Sequence, residues 1–486
     1  MEDNELLRVY KKVYDYLNNC NIYEVRNLAR AFGVNAPTTD KKKDLILRLI
    51  RIGAGISDPG PRSNKGARVK ASDASEERVA AVRSLIVDCN EALTYGGSEQ
   101  PPAEYRFRDA ESGAEEFGYG DECATGILEV GKQGHGYLRG YSFMAEEGDA
   151  IVSDKLIHQY RLREGDVISA YIVQNGSAAE AVQVAAVNGG APVFIERKKF
   201  DDLPAVYPSE RYALGRKDCA FLRAADIVCP LCKGQRGLVF APSNAGRTIF
   251  FREAARSISL AYPKSKLIFV LLDQRPEELT ETAGLFPDAA VVAASFEDSP
   301  VRAMQAARLA LEYAKRIAES GGDAVLLLDS LTALVRVVAY GTVPSGRETA
   351  GGIDLAALGA AKKYFAAARK LKGAGSLTML AAALTGRGVA SDADVCEELG
   401  GAANMFVRFS REIAARGVIP AIDFSCSYTK WCENFQSERE RRCAEALKEM
   451  ARGRFGAEHI GELFSKTETN EEFIEREELW ASARRG

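Results

Sequence analysis

The sequence predicts a multidomain α/β protein in which a small helical domain and a small β-barrel precede a larger α/β domain. Three patterns carry this prediction. Apolar residues recur at helical spacing near the N-terminus, short β-rich runs fill residues 124–192, and continuous apolar strands alternate with helices from about residue 200. The 486 residues suffice for about two to four domains, and a hydrophobic content of 46% permits a substantial core.

Residues 1–52 are predicted to form the helical domain. The runs LLRVYKKVYDYL and IYEVRNLARAFG have apolar residues at helical spacing, and the second closes at Gly33. A third run, TTDKKKDLILRLIRIG, begins at a Thr/Asp cap and ends at a glycine. Its face is basic, through Lys41, Lys42, Lys43, Arg48 and Arg51. That face is either a solvated helix surface or a weak contact for a nucleic-acid backbone.

Residues 53–120 are rich in Gly, Pro, Ser, Ala and charge, which predicts a flexible linker with one helix in EERVAAVRSLIVDCNEAL.

Residues 121–192 change to short β-runs separated by Gly and Asp turns, a pattern that predicts a small barrel such as an OB-fold. Within it, GHGYLRG places His135 and Tyr137 on one face, with Lys132 and Arg139 nearby. This is either a stacking platform for single-stranded RNA or an ordinary strand surface.

From residue 200 to residue 486 the pattern is α/β. Strands such as RGLVFAP, KLIFVLLD and DAVLLLDS are continuously apolar, which is typical of a parallel sheet covered on both faces. The loop APSNAGRT follows the first strand and precedes a helix, where backbone N–H groups can bind the phosphates of a nucleotide. The loop residues expected to bind nucleotide are Ala245, Gly246, Arg247, Thr248 and Ile249.

Further polar residues are expected at the same edge of the sheet. Thr248 and Asp329, the latter at the tip of AVLLLDS, are candidate ligands for Mg²⁺. Asp273, Gln274 and Arg275 follow another strand, where a group that activates water would lie. The Gly-rich stretches TVPSGRETAGG and LTGRGVASDADV carry Arg347 and Arg387. These are either surface turns or fingers that contact a phosphate backbone.

The order of motifs resembles that of the transcription termination factor Rho family. The motifs are GHGYLRG, YPSERYAL, KGQRG, APSNAGRT, LLDQRPEELTE, LLLDSLTAL, VPSGRETAGGID, FSREIAARGVIPAIDF and ELFSKTETNEEF, and they cover nearly everything except the linker. The resemblance implies a RecA-like, ring-forming, RNA-dependent ATPase and helicase of the cytoplasm that acts in transcription termination. It also implies ATP and Mg²⁺ as cofactors, and nascent RNA and RNA polymerase as partners. The family's primary RNA site would include His135, Tyr137 and Arg139, and its pore loops would carry Arg347 and Arg387.

The sequence departs from the family pattern at the residues that carry catalysis. The family's two phosphate-loop lysines are replaced by Asn244 and Arg247, and its catalytic Glu by Gln274. An amide can hydrogen-bond a water molecule but cannot take its proton. The arginine finger that a neighbouring subunit supplies falls on Lys430, and a second family arginine on Gly417. An adenine-stacking aromatic falls on Ile419 and an aromatic of the RNA pocket on Ile151.

These departures leave two hypotheses. The first is a Rho-type factor that binds RNA and nucleotide and ends transcription. It is either an ATP-driven translocase with an unusual but working site or, the version we favour, a factor with hydrolysis crippled at Arg247, Gln274 and Lys430 while Thr248, Arg275 and Asp329 still support nucleotide binding. The second is a paralogue that acts as an RNA-binding or ring-regulating module without translocation. It would form a homo-oligomeric hexamer or join a mixed ring with an intact Rho. The sequence does not separate a homo-oligomer from a mixed ring.

The bulk composition limits other functions. The net charge of −4 and pI near 5.8 mean that nucleic-acid binding must come from local basic clusters. No run of 18 apolar residues predicts a membrane span, and MEDNELLRVYKK does not resemble a signal peptide. Ten scattered cysteines indicate a reducing cytoplasm. The one close pair, Cys229 and Cys232, is more typical of buried thiols than of a metal or redox site.

Overall fold

A computed structural model describes residues 10–32, 34, 41–53, 75, 78–79, 81–82, 85–86, 122–131, 133–175, 178–192, 197–386 and 388–481. The chain divides into two compact units, Met1–Gly113 and Ala114–Gly486. Most of the predicted linker therefore lies outside the described residues, as do Gly33, Lys132 and Arg387.

In the part of the first unit that the structure describes, three continuous amphipathic helices surround an apolar core. They are α1 (Lys11–Asn19), α2 (Ile22–Ala31) and α3 (Lys42–Gly53). Helix α2 begins with a capping box, in which Asn21 accepts from the N–H of Glu24 and Glu24 accepts from the N–H of Asn21. Val82 and Ile86, within the predicted linker helix, are helical and buried in this same core. On α3, Lys41 to Lys43 lie at the first turn, and Lys42 donates to the backbone carbonyl of Asn18.

The second unit begins with a closed five-stranded barrel of order β1-β2-β3-β5-β4. Its elements are β1 (Glu122–Val130), β2 (Gly136–Arg139), β3 (Ala150–Val152), α4 (Asp154–Gln159), β4 (Val167–Asn175) and β5 (Ala178–Val187). Alternation along β2 buries Leu138 inside the barrel and directs Tyr137 and Arg139 to the other face. The prediction of an OB-type barrel is confirmed.

The rest of the second unit is an α/β domain built on a nine-stranded sheet. Seven of its strands have the order β11-β10-β12-β14-β9-β15-β16, while β13 pairs with β14 and β6 pairs with β13. Its strands are β6 (Ala205–Val206), β9 (Arg236–Pro242), β10 (Lys266–Gln274), β11 (Ala290–Ser295), β12 (Asp323–Asp329), β13 (Arg369–Leu371), β14 (Ser376–Thr385), β15 (Met405–Arg408) and β16 (Tyr428–Thr429). A separate ribbon joins β7 (Arg211–Tyr212) to β8 (Leu231–Cys232). Neighbours from β11 to β15 are parallel, which confirms the RecA-like prediction.

Helices cover both faces of this sheet. They are α5 (Ala220–Val228), α6 (Arg247–Ala261), α7 (Pro276–Leu285), α8 (Pro300–Glu319), α9 (Leu331–Gly341), α10 (Leu355–Ala366), α11 (Ala390–Gly400), α12 (Arg411–Ala415), α13 (Glu438–Ala451), α14 (Gly456–Phe464) and α15 (Asn470–Glu475). Alternate residues of β9 enter opposite cores: Leu238 and Phe240 pack with α8 and α9, whereas Val239 and Ala241 pack with α5 and α6. This two-sided burial explains why the strands are apolar throughout.

One turn of the barrel approaches the backbone of helix α8 closely. Gly165 has φ +85°, and a Cβ there would lie 2.4 Å from the backbone carbon of Glu312. On either side of it, Arg163 pairs with the buried Glu319, and Glu164 pairs with Arg308 at 2.7 Å. A positive φ and a close backbone approach therefore both require glycine at this position.

None of the helices in the described part of the chain has both the length and the apolar character needed to cross a bilayer. Cys229 and Cys232 are buried free thiols, and burial raises the pKa of each to about 12. Over the same residues, no group of three or more His, Cys, Asp and Glu side chains is arranged to hold a metal ion.

Candidate nucleotide site and nucleic-acid interface

The loop between β9 and α6 has the backbone shape of a phosphate-binding loop. Gly246 caps α6 with φ +88°, and Asn244 also has a positive φ of +61°. A Cβ on Gly246 would lie 2.7 Å from Ile419 Cγ2 and 2.8 Å from Pro420 Cα. Glycine is therefore required here, and the loop delivers the first N–H groups of a 15-residue helix to whatever lies beyond it.

Other residues predicted to bind nucleotide lie in this loop or beside it. Ala245 is buried, and its carbonyl accepts from the N–H of Ala421 at 2.9 Å, which ties the segment after Ile419 to the loop. Ile419 is 52% exposed and Ile249 is 45% exposed, so both present apolar surface beside the loop. Thr248 lies on the first turn of α6 and is partly exposed. The structure thus brings together the loop residues that the sequence predicted.

Arg247 does not point away from the protein. Its Nε donates to Asp329 Oδ2 at 3.0 Å, and the two side chains are 18% and 5% exposed. The amide of Gln274 is also directed at Asp329, with Nε2 at 3.3 Å from its backbone oxygen and 3.4 Å from Oδ1. Gln274 is itself 9% exposed. A predicted phosphate ligand, a predicted metal ligand and the residue predicted at the catalytic-base position thus form one largely buried cluster.

Burial raises the pKa of Asp329, and the Arg247 guanidinium opposes that rise. Glu278, on α7, adds a smaller effect in the raising direction. The ion pair with Arg247 therefore favours the ionised carboxylate in a place where desolvation disfavours it. Because both carboxylate oxygens already contact N–H donors, the arrangement does not fit a Mg²⁺ ion held by Asp329, although carboxylate and hydroxyl oxygens are the ligand types Mg²⁺ prefers.

Of the other predicted catalytic residues, Asp273 and Lys430 contact neighbouring groups of the same domain. Asp273, with φ +53°, pairs with Arg336 at 3.0 Å, and Arg275 beside it is exposed. Lys430 folds onto its own domain, where Nζ lies 3.3 Å from the carbonyl of Ala403 and 5.4 Å from the centre of the Phe406 ring. Gly417 lies in a turn with φ +84° and nothing within 4 Å of its Cβ position.

On the barrel, the predicted aromatic face is present. The rings of His135 and Tyr137 meet edge to face at 5.3 Å, and His135 Nε2 lies 3.0 Å from the Tyr137 hydroxyl. Ile151 is the cross-strand neighbour of Tyr137, which places the residue predicted to replace a pocket aromatic directly beside the ring. Arg139 covers Tyr137, with its Cζ 4.6 Å from the ring centre.

Arg139 is held by acidic residues of the barrel. Its Nε lies 2.7 Å from Glu129 Oε2, and Nη1 bonds to Asp149. Both partners are largely buried, so this guanidinium is already neutralised where the sequence alone suggested a contact for nucleic acid. Its remaining capacity for RNA is a cation–π and packing surface over Tyr137.

Arg347 lies in an exposed loop shaped by Ser345, whose Oγ accepts from the Arg347 N–H at 3.2 Å. Arg387 and Lys132, the other predicted cations, lie outside the described residues. The RNA roles of these residues remain predictions.

Sequence reasoning missed the pairing of Arg247 with Asp329. It treated Arg247 only as a replacement for a phosphate-binding lysine and Asp329 only as a metal ligand. One signal was available: the carboxyl ends of parallel strands meet at one edge, so a cation after β9 and a carboxylate ending β12 are expected near each other.

Comparison with known protein families matches both parts of the second unit. Residues 124–193 match the Rho termination factor RNA-binding domain. Residues 222–429 match the nucleotide-binding domain of the ATP synthase alpha/beta family. The first match spans the barrel, and the second spans the sheet together with the phosphate loop.

Individual relatives are similar over most of the chain. A transcription termination factor Rho of Streptomyces coelicolor is 36% identical over 357 residues, which is 73% of this chain and 85% of that protein. The Rho of Bacillus subtilis is 36% identical over 357 residues, covering 72% and 83%. The Rho of Escherichia coli is 35% identical over 381 residues, covering 75% and 89%.

Proposed function

The chain belongs to the transcription termination factor Rho family, and we propose that it binds single-stranded RNA and a nucleotide while hydrolysing ATP far more slowly than a translocating motor requires. The observation that carries this proposal is the Arg247–Asp329–Gln274 cluster at the phosphate loop. It keeps the geometry of a nucleotide site and changes the groups that would perform the reaction.

RNA binding rests on the barrel. Its fold matches an RNA-binding domain, and its outer face offers Tyr137 and His135 as an aromatic surface beside Ile151. Stacking of a base on an aromatic side chain contributes about 1–3 kcal/mol and tolerates many sequences. The nascent transcript is the single-stranded RNA that a factor of this family meets in the cytoplasm, and RNA polymerase is the partner to which it leads.

The proposal of slow ATP hydrolysis depends on two positions, Gln274 and Lys430. Gln274 offers a neutral amide where a base would accept the proton of water, and a positioned base contributes about 10²–10⁴ in rate. Lys430 stands at the finger position but contacts its own Ala403 and Phe406, and a finger arginine contributes about 10³–10⁵. Because residues that act as a unit are not additive, the larger single loss alone suffices to stop a useful motor.

The second candidate is a regulatory subunit. The same cluster favours it, because a subunit that binds RNA and nucleotide without turning over can occupy a place in a ring and stop its neighbours. A homo-hexamer and a mixed ring with an intact Rho are the two assemblies we propose for the chain.

Steady-state ATP turnover with and without poly-pyrimidine RNA tests the proposal, alongside RNA binding by fluorescence anisotropy. We expect RNA binding together with turnover far below the ordinary enzyme range of about 1–10³ s⁻¹. A variant that combines N244K, R247K, Q274E and K430R is the matched gain-of-function control, and it should be faster by at least about 10². Turnover within the ordinary range by the natural chain would contradict impaired hydrolysis, and absence of RNA binding would contradict the RNA role.

A further inference from the structure

The buried carboxylate of Asp329 already has a cation in contact with it. Its Oδ2 lies 3.0 Å from Arg247 Nε, and its Oδ1 lies 3.4 Å from Gln274 Nε2. The Asp329 side chain is 5% exposed, which leaves little surface through which a hydrated ion could approach. Mg²⁺ demands near-ideal octahedral oxygen ligation and gives up its waters reluctantly, so a crowded carboxylate with donors on both oxygens suits it poorly.

Arg247 has hydrogen-bonding capacity to spare. A guanidinium carries five N–H donors in a rigid fork, and among the residues that the structure describes its one acceptor is Asp329, through Nε. Four N–H donors on the two Nη atoms therefore remain for another acceptor. Arg247 is the first residue of α6, directly after Gly246, so the side chain that carries these donors begins at the phosphate loop and reaches Asp329.

A planar guanidinium is well suited to bridge a carboxylate and a phosphate. Arginine binds phosphate oxygens through paired N–H donors with charge-assisted bonds, and it stays protonated at every physiological pH. With Nε on Asp329 and four further N–H donors on its Nη atoms, the side chain can join the same two kinds of anion that a divalent cation joins in a nucleotide site.

We propose that the Arg247 guanidinium takes the place of the divalent cation, so that this site binds a nucleoside di- or triphosphate in its metal-free form. The inference rests on the proposed nucleotide binding and specifies the form of the ligand. Gln274 adds no charge to this arrangement, because its side chain is a neutral amide directed at Asp329 Oδ1. The Asp329 carboxylate therefore has one positive charge as its partner, that of Arg247.

The test is nucleotide affinity with and without metal, measured on the full chain with a fluorescent ADP. One titration contains Mg²⁺ in excess, and the other contains EDTA. We expect the two dissociation constants to agree within about two-fold. A loss of affinity of ten-fold or more in EDTA would overturn the inference, because it would show that a metal contributes to binding. No binding under either condition would instead contradict the proposed nucleotide binding, so the two failures are distinct.

Two variants test whether Arg247 is the residue that takes the place of the metal. Arg247→Lys replaces the fork with a shorter point charge that cannot bridge both anions, and R247K should bind at least about ten-fold more weakly in EDTA while recovering part of that loss in Mg²⁺. Arg252→Lys is the matched control, because Arg252 lies on the same helix, has the same 18% side-chain exposure and pairs with Glu281. R252K should behave as the natural chain does. A metal response that is equal in R247K, R252K and the natural chain would remove Arg247 from the proposed role.

Discussion

At position 137 a tyrosine ring lies between a histidine and an arginine of the same β-hairpin. The hydroxyl contacts His135, and the Arg139 guanidinium lies over the ring, so its geometry is fixed before any ligand arrives. Because Arg139 is neutralised by Glu129 and Asp149, the aromatic surface has more to offer an RNA base than the cation has to offer a phosphate. A preorganised ring loses little conformational freedom on binding, which favours affinity.

We therefore predict that Tyr137→Ala weakens binding of a short single-stranded pyrimidine oligonucleotide by about ten-fold, as expected when one stacking platform is lost. Fluorescence anisotropy at one fixed salt concentration measures it. Tyr171→Ala, on β4 of the same barrel, controls for general destabilisation and should leave the affinity within about two-fold. Equal dissociation constants for Y137A and the natural chain would exclude Tyr137 from the RNA site.

Thiol reactivity distinguishes buried cysteines from a redox or metal pair. Burial raises the pKa of Cys229 and Cys232 to about 12, so at pH 8 both are protonated and shielded. Cys426 is exposed. We predict that N-ethylmaleimide at pH 8 modifies Cys426 in the folded protein and leaves Cys229 and Cys232 unmodified, as read by peptide mass spectrometry. All three should react in denaturant, and rapid labelling of Cys229 in the native protein would contradict this assignment.

At the scale of elements, the turn before β4 is one of the contacts that hold the barrel on helix α8, beside the packing of Tyr141 and Phe143 on Tyr313. Gly165 combines φ +85° with an approach to the Glu312 backbone that excludes a Cβ. Gly148 provides a matched control, since it has φ +100° and nothing within 4 Å of its Cβ position. The two glycines share the conformational requirement and differ in the close approach.

Gly165→Ala should therefore lower stability by about 2–5 kcal/mol, from left-handed strain of about 1–2 kcal/mol and overpacking of about 1–3 kcal/mol. Gly148→Ala should cost only the strain, about 1–2 kcal/mol. Denaturant unfolding gives the difference, and hydrogen-exchange mass spectrometry should show faster exchange in α8 for G165A alone. Equal exchange in the two variants would mean that the close approach does not hold the barrel on α8.

The terminal motif ELFSKTETNEEF has a structural explanation. Arg223 of α5 is 1% exposed and donates to the carbonyls of Phe464, Thr467 and Thr469. It also bonds the side chains of Thr467 and Asn470. Burial lowers the pKa of this guanidinium, and a set of neutral acceptors satisfies it. The motif that helps to identify the family thus closes the domain around one buried arginine.

Much of the fold could be predicted from the spacing at which apolar residues recur and from composition. Alternating runs indicated the barrel and continuous apolar strands indicated the two-sided sheet, because burial on one or both faces leaves a direct mark on sequence. Ion pairs between side chains leave no such pattern in the sequence. Arg139 with Glu129 and Asp149, and Arg247 with Asp329, join residues from different strands or strand ends, so their contacts depend on register and topology that spacing alone does not determine.

At the scale of the whole molecule, each subunit of the proposed ring would affect two nucleotide pockets. A nucleotide pocket shared between neighbours takes its loop from one subunit and its finger from the next. Here the loop side carries Arg247 and Gln274, and the finger side carries Lys430, which contacts its own Ala403. One such subunit in a ring of intact Rho would therefore impair its own pocket and that of a neighbour.

We predict that this chain inhibits an intact Rho from the same cell when the two are mixed with RNA and nucleotide, and that activity falls faster than the fraction of added subunit. The physical reason is that a ring whose sites fire in sequence stops at the first pocket that cannot hydrolyse ATP. Native mass spectrometry of the mixture reports ring composition, and an ATPase titration reports inhibition. The variant that combines N244K, R247K, Q274E and K430R, which restores both the loop side and the finger side, is the matched control and should inhibit less steeply, since neither its own pocket nor the neighbour's then lacks a catalytic group. Monomeric protein at micromolar concentration with no effect on Rho turnover would contradict the ring and leave RNA binding by the barrel as a separate activity.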